Sequence, residues 1–572
     1  MILFMKVSDY IVDFLVSKGV TDVFGIPGGV VLDFLDSVGK RGKEITARLN
    51  YNEQASAFAA CGYAQAARKL SVAYATRGPG ITNMVTGITD AFCESLPIFF
   101  ITAHSHKSVF KDIRVEEDQE FDTVGMLSSV SKYAVSINNI DDVRYEIEKS
   151  YYLAINDRPG PILIDFLVSV LRANINPELQ RPFIPEENRN NEKLLYLKII
   201  NTIKQELNKA KRPVILIGDG IKQSCTSEYI KIISEKWGIP ILSSRSAHDI
   251  ISESNNYYGY IGSHGIRYSN FILSKCDLII SFGNRLMFKP SSKSFGVITN
   301  KAKIIRIDVD KNEFLREIPN TICFHTELKD IMPLLADEDI KWYDNDWLSI
   351  CNEIKKSLFN FDTEYPVNII TEIIKNIDNN TIITSDVGNN EFLLSIGYNH
   401  SKKTNPVLYS KSFGALGNSV PKAIGAFYST KKKILCFTGD QGLQMNIQEL
   451  QFIEKEKLPI TIIVLNNFSS GMIRDQQEKK FDSRFINTTL NDGYSVPDFD
   501  KIAKAFEISY YCYNIKSEIN TLKNILDKNE PVIIDIKFDK ENEVIPHLPV
   551  GNPMQDIVPE IDRELYKRLN EL

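Results

Sequence analysis

The sequence predicts an α/β protein built from three doubly wound, parallel-sheet domains, and three observations lead there. Short apolar runs rich in Ile, Val and Leu recur at 71–76, 98–102, 161–166, 213–218, 278–282, 303–309, 381–385, 434–438 and 460–466. Segments of helical length separate them, the alternation of sheets that carry helices on both faces. The unbroken apolarity of the runs suits strands buried on both sides. Polar seams divide the series: 174–191, with Pro177, Pro182 and Pro185, reads as a linker, and others lie near 336–346 and 360–366. The resulting units are 1–180, 190–342 and 362–572, in keeping with 572 residues at about 150 per domain.

Composition narrows the function classes. Apolar residues make up 43% and charged residues 24%, with a formal net charge of −6. No basic field invites nucleic acid. No stretch of ~18 apolar residues invites a membrane span, and the opening Met1–Lys6 segment is far shorter than a signal-peptide core. Eight cysteines stand singly with no Cys-x-x-Cys pair, mostly in apolar runs. They read as buried structural thiols in a reducing, cytoplasmic compartment.

In the third unit, Gly439-Asp440-Gln441-Gly442 follows one strand run, a helical stretch begins near Asn446, and the next strand ends Leu465-Asn466-Asn467. A carboxylate and a carboxamide thus stand at successive strand tips of one sheet edge, where open α/β sheets bind ligands. Mg²⁺ prefers such hard oxygens together with phosphate and water. Asp440, Asn467 and the Ser469 carbonyl are the candidate metal ligands, and Gly442 with the following helix start offers N–H groups to phosphate. Taken singly, Gly-Asp and Asn-Asn are also ordinary turn pairs. The whole segment Gly439–Leu450 resembles the cofactor motif of thiamine diphosphate enzymes, in its acetolactate synthase version. One departure is Gln441, where that motif has glycine; Gly442 is then expected to take the tight turn.

The first unit supplies the carboxylate that thiamine chemistry needs. Asn50-Tyr51-Asn52-Glu53-Gln54 precedes a small-residue helix at 56–67 that includes Gly62. Alone, Glu53 is a good partner for a helix start. Yet Val23–Gly29, Asn52-Glu53-Gln54 and Arg77–Asn83 occur in the order and spacing of acetolactate synthase-like enzymes, a resemblance that runs along essentially the whole chain. It implies that Glu53 activates the cofactor by a hydrogen bond to its aminopyrimidine. It also places Pro27, Gly28 and Asn83 against the cofactor and gives Gln119 an active-site position. In the third unit it implies that the Gly414 carbonyl meets the exocyclic amine and that Leu416 wedges the rings together. Asn389 and Asn390 then stand near the diphosphate, alongside Gly439, Gly471 and Met472. In such enzymes the first domain of one chain meets the third domain of another, so a homodimer or homotetramer is expected. The reaction implied is decarboxylation of a 2-oxo acid, with pyruvate favoured, and transfer of the acyl unit to a carbonyl acceptor.

Three positions bear on that acceptor. Asn52 stands where acetolactate synthases use His. Lys289 stands where they hold the acceptor carboxylate with Arg, losing the bidentate fork. Gln476 replaces their specificity Trp, which leaves a roomier, more polar pocket. These departures suit a hydroxylated carbonyl such as a keto-sugar. A true acetolactate synthase and a simple 2-oxo acid decarboxylase, with His104 or His106 as acid–base group, remain alternatives. A non-catalytic paralogue has no need of Glu53, and a nicotinamide dehydrogenase lacks its Gly-x-Gly-x-x-Gly. The segments Gly259–Gly265 and Gly283-Asn284-Arg285 resemble the flavin-binding region of acetolactate synthases and equally fit tight turns, so FAD stays open for the central unit.

Overall fold

The computed structural model describes residues 4–105, 118–185, 192–287, 301–342, 345–517 and 521–572. Each expected apolar run carries a strand, and the strands form three six-stranded parallel sheets. In the first, the spatial order is Thr46–Leu49, Asp22–Gly25, Ser71–Tyr74, Ile98–His104, Ile162–Leu167, Tyr133–Ile137. The third repeats this winding with Val407–Leu408, Ile382–Ser385, Ile434–Gly439, Ile460–Asn466, Val532–Lys537 and Ser509–Tyr513. The central sheet runs Tyr257–Tyr260, Ile241–Ser243, Pro213–Ile217, Leu278–Phe282, Lys303–Asp308, Thr321–His325. In each sheet the winding reverses beside its first strand, leaving a crevice at the strands' carboxyl ends. No helix among the described residues is long and apolar enough to cross a membrane.

The first and third domains of the chain pack through two helices, Glu53–Ala67 and Ser419–Thr430. Their approach is backbone to backbone. A Cβ on Gly425 would fall 1.7 Å from Ala59 O, and one on Gly62 would fall 2.1 Å from Lys422 O. Beside this seam Lys422 Nζ lies 2.9 Å from Asp90 Oδ2, with both side chains fully buried. Removing one partner strands the other charge in a dry interior. Lys422→Met is therefore expected to destabilise the protein by ~3–5 kcal/mol, and Lys422→Met with Asp90→Leu to recover much of that, read from denaturant unfolding.

The tail beyond the last strand does not stay on the third domain. Leu548 N donates to Ser263 O at 2.7 Å, Arg212 Nη2 donates to Leu572 O at 2.9 Å, and the Arg563–Glu571 helix sets Tyr566 edge-on against Phe271. The tail thus also holds the central domain.

Burial also sets a pH dependence. His248 lies among Tyr260, Tyr398 and Tyr409, and burial pushes its imidazole down to about 3, against the raising influence of Asp249. His264 is pushed to about 3 and His400 to about 4 by the same cause. The unfolded chain protonates these rings near ~6.5 while the folded one does not, so the share of stability that depends on them is full above that pH and is lost as pH drops towards 3. His248→Gln should flatten this slope by up to ~1.4 kcal/mol per pH unit, read from unfolding midpoints between pH 4 and 6.5.

The cysteines are only partly as expected. All eight are free, but Cys225, Cys323 and Cys512 are exposed and Cys93 is half-buried. Cys323 and Cys512 lie on edge strands, where one face of the sheet meets solvent.

Candidate functional site

The third domain gathers its site at the winding reversal between Ile382–Ser385 and Ile434–Gly439. Asp386, just past the first of these strands, is buried and acts as a hub. Its carboxylate accepts from Val387 N, from Gly417 N at 2.9 Å, from Asn418 Nδ2, from Ser419 Oγ and from Thr438 Oγ1. It thereby ties together the loops that carry Asn389–Asn390, Gly414–Leu416 and Gly439–Asp440. Burial raises its carboxyl to about 6 despite these bonds. Asn389 and Asn390 begin the helix Asn389–Ser401, after Gly388 with its φ of 109°. Asn390 Oδ1 is buried without a hydrogen-bond partner. Leu416 is half-buried beside Gly414.

Asp440 opens a helix, Asp440–Met445, at once, rather than leaving the helix to begin near Asn446. Gln441 sits in its first turn and donates its N–H to Asp440 Oδ1 at 2.8 Å. No left-handed turn exists here, so the missing glycine at 441 costs nothing in backbone strain. The expectation that Gly442 makes a tight turn is corrected. It is a packing glycine, whose Cβ would fall 2.6 Å from both Asp386 Oδ2 and Thr438 Oγ1. Asp440 Oδ1 also accepts from Tyr494 at 2.7 Å, while Oδ2 is buried with no hydrogen-bond partner among the described residues. Burial lifts this carboxyl to about 6, against Tyr494 and Gln441.

Asn467 follows the neighbouring strand. Its Oδ1 accepts from Ser469 N at 3.3 Å and its Nδ2 donates to Glu543. Ser469 is buried, and its Oγ accepts from Arg474. Gly471 and Met472 begin the helix Gly471–Lys480, on which Gln476 is exposed. Lys289 and His106 lie outside the described residues.

An unpaired carboxylate oxygen on Asp440, an amide oxygen on Asn467 and the Ser469 backbone at one sheet edge fit a hard cation shared with a ligand's phosphates. Among the described residues no group of three His, Cys, Asp or Glu side chains forms a metal cage. Such a cation here would need the phosphate oxygens.

The first domain carries a second cluster. Asn52 caps the Glu53–Ala67 helix, its side chain accepting from Gln54 N at 2.8 Å. Its oxygen is thus committed to the backbone, leaving Nδ2 for a ligand. Glu53 Oε2 accepts from Asn83 Nδ2 at 3.0 Å, and Glu53 Oε1 lies 3.5 Å from where a Gly80 Cβ would stand. Gln119 closes over Gly78, and Glu120 behind it accepts from Arg77 and from Ser105 N. Gly28, after Pro27, packs on Thr76, its notional Cβ 2.4 Å from Thr76 Cβ. Glu449 links the clusters within the chain, accepting from Asn50 Nδ2 at 2.8 Å and Tyr51 N at 2.9 Å. His104 is held from both sides, Nδ1 2.9 Å from Asp165 Oδ1 and Nε2 2.9 Å from Asn138 Oδ1. Both ring nitrogens thus face first-domain side chains.

Sequence reasoning missed Asp386, Tyr494, Glu449 and Glu543. Asp386-Val387-Gly388 at a strand end was a readable signal for the first. Glu543 had none, since it comes from the tail, far along the chain from Asn467.

At the carboxyl ends of the central sheet a cavity of about 1230 Å³ opens between the domains, lined by Gly218, Asn284 and Asp308 of the central domain, Arg158 of the first, Ser412 of the third and Val550 of the tail among others. Gly218, Gly220 and Gly283 use one another's missing side chains, a Gly218 Cβ falling 2.2 Å from Gly283 O.

Three parallel-sheet domains, with Asp440 and Asn467 at one sheet edge of the third and Glu53 opening a helix of small residues in the first, match the architecture of thiamine diphosphate enzymes. Models of the thiamine pyrophosphate enzyme N-terminal, central and C-terminal domains match residues 5–126, 200–335 and 386–536. The chain is 30% identical to the acetolactate synthase large subunit of Lactococcus lactis, over 95% of this chain and 94% of that protein. It is 27% identical to the acetolactate synthase isozyme 2 large subunit of Escherichia coli, over 96% and 98%. Against a probable acetolactate synthase large subunit of Methanococcus aeolicus it is 29% identical, over 97% and 95%. The chain belongs to the thiamine pyrophosphate enzyme family, as an acetolactate synthase-like, C–C bond-forming member.

Proposed function

We propose that the protein decarboxylates pyruvate and transfers the two-carbon acyl unit to a hydroxylated carbonyl acceptor, such as a keto-sugar. One observation carries the acceptor choice: on the helix Gly471–Lys480, beside the metal edge, exposed Gln476 stands where the resembling enzymes carry a specificity Trp. A polar side chain at that position favours hydroxyl groups, whose hydrogen bonds a hydrophobic pocket would leave unmade.

Bound thiamine diphosphate supplies a nucleophilic carbon for the 2-oxo acid carbonyl and takes up the electron pair freed when CO₂ leaves. The chain's residues do the rest. Glu53, fixed by Asn83, would hold the proton at the aminopyrimidine; Asp440, Asn467 and the Ser469 carbonyl would hold Mg²⁺; and the helix starts at Asn389-Asn390 and at Gly471 would offer backbone N–H groups to the diphosphate. Leu416, Met472 and Gly414 would line the cofactor, and Gln119 and Asn52 the substrate. The Glu53 cluster is flanked by exposed Tyr51, Phe121 and Met126, and the metal edge by exposed Phe413, Met445 and Ile473. These surfaces fit completion of the site by a second copy. In the same reading the central cavity takes an adenine dinucleotide such as FAD, supported by Asp308 at a strand tip, where ribose hydroxyls are commonly read. Flavin absorbance of the purified protein checks this.

The test of the acceptor is product analysis with ¹³C-labelled pyruvate, thiamine diphosphate and Mg²⁺, with and without keto-sugars or 2-oxobutyrate. Label should enter the sugar. Acetolactate or acetohydroxybutyrate formed at a kcat/KM of ~10⁴ M⁻¹s⁻¹ or above would instead mark an ordinary acetolactate synthase.

A further inference from the structure

Glu543 reaches the metal edge from the tail, past the last strand Val532–Lys537, and its side chain is fully buried there. Asn467 Nδ2 donates to both its oxygens, at 2.9 and 3.0 Å. Asn389 Nδ2 donates to Oε1 at 2.9 Å, and Arg474 Nη2 to Oε2 at 2.6 Å. Asp475 shares the same arginine, at 2.9 Å, and accepts from Asn389 Nδ2 at 3.2 Å. The cluster closes over Gly471, whose Cβ would fall 2.6 Å from Asn467 Nδ2 and 3.0 Å from Glu543 Oε1.

A carboxamide has two ends of opposite polarity, and side chains of this type turn to satisfy whichever partner is fixed. A divalent hard cation takes the oxygen end only. With its NH₂ committed to a carboxylate, Asn467 must turn its oxygen away from Glu543. Both Glu543 oxygens are already occupied by amide and guanidinium donors, so Glu543 is not itself placed as a ligand. Arg474 forms an ion pair with it at 2.6 Å.

We propose that Glu543 is the positioning residue of the metal site, fixing Asn467 so that Oδ1, and not Nδ2, is presented to the cation. This deepens the reading of the site as one for Mg²⁺ and thiamine diphosphate, and it rests on that reading. Partners of this kind that orient a metal ligand change affinity for the metal by ~10–100-fold when lost. The arrangement also makes the metal site depend on the tail, which docks on the central domain through Leu548.

The test is calorimetric titration of Mg²⁺ into the thiamine diphosphate-containing protein, for wild type, Glu543→Gln, Asn467→Asp and the double variant. Glu543→Gln should weaken Mg²⁺ binding by ~10–100-fold, since a carboxamide at 543 no longer forces the Asn467 amide one way round. In the Asn467→Asp background the same substitution should strengthen Mg²⁺ binding, because it replaces two facing carboxylates by a donor and an acceptor. That reversal of sign is something a merely structural role does not produce. Mg²⁺ affinity within twofold of wild type in Glu543→Gln, or a change of the same direction in both backgrounds, overturns the proposal. Should Glu543→Gln not fold alone, the double variant against Asn467→Asp decides: equal or weaker Mg²⁺ binding in the double overturns it. If wild type itself shows no Mg²⁺-dependent binding of thiamine diphosphate, the reading of the site falls, and this proposal with it.

Discussion

Glu53→Gln is expected to lower turnover by ~10²–10⁴-fold while leaving thiamine diphosphate affinity nearly unchanged, because the lost group handles a proton rather than holding the cofactor. The geometry supports so selective an effect. Among the described residues Glu53 accepts one side-chain hydrogen bond, from Asn83 Nδ2, and an amide at 53 can still accept that bond through its oxygen. The helix it begins is capped by Asn52 and packed through Gly62, so the substitution disturbs neither the cap nor the seam. Steady-state rates of CO₂ release beside calorimetric cofactor binding check both halves. Near wild-type turnover would sink the assignment. Mixing Glu53→Gln chains with Asp440→Ala chains should restore part of the activity if the site is shared between copies.

Asp440→Ala carries the second large effect, this time on binding. The substitution removes a buried carboxylate whose Oδ2 has no protein partner and leaves the Tyr494 hydroxyl without its acceptor. With one charged contact to the cation gone, affinity for thiamine diphosphate in Mg²⁺ should fall by roughly 10²–10³-fold, within the ~2–5 kcal/mol that losing one partner of a buried charge contact costs. Tyr494→Phe, which spares the carboxylate, should cost far less. Chelator should erase the difference between wild type and Asp440→Ala, since neither then has a metal to share. Equal affinities with and without chelator would refute the role.

Much of the fold was legible because interior parallel strands are apolar on both faces. The unread strands lie mostly at sheet edges. Thr46–Leu49, Tyr133–Ile137, Thr321–His325 and Ser509–Tyr513 are half-exposed, so polar residues interrupt them and the apolar run disappears. At the site, Asp440 and Asn467 were readable because each directly follows a buried strand, and Glu53 because it begins a helix of small residues. Asp386 lay in equal view at a strand end, but its work is to bind three loops together, which only the folded contacts reveal. Glu543 illustrates the limit more sharply. Its meaning comes from Asn467, Asn389 and Arg474, all distant in sequence, and nothing around Glu541-Asn542-Glu543 distinguishes it from a solvated acidic turn. The reading of Gly442 as a turn residue failed for a related reason, since spacing reports a missing side chain but not what fills the space.

The measurement closest to the central claim is CO₂ release from carboxyl-labelled pyruvate by the purified protein. It is followed with thiamine diphosphate and Mg²⁺ supplied together, singly, and with a hydroxylated carbonyl acceptor added. Release should require both the cofactor and the metal and should rise when the acceptor is present, with the remaining two carbons recovered on that acceptor. Release independent of thiamine diphosphate, or no release from pyruvate under any of these conditions, would contradict the account.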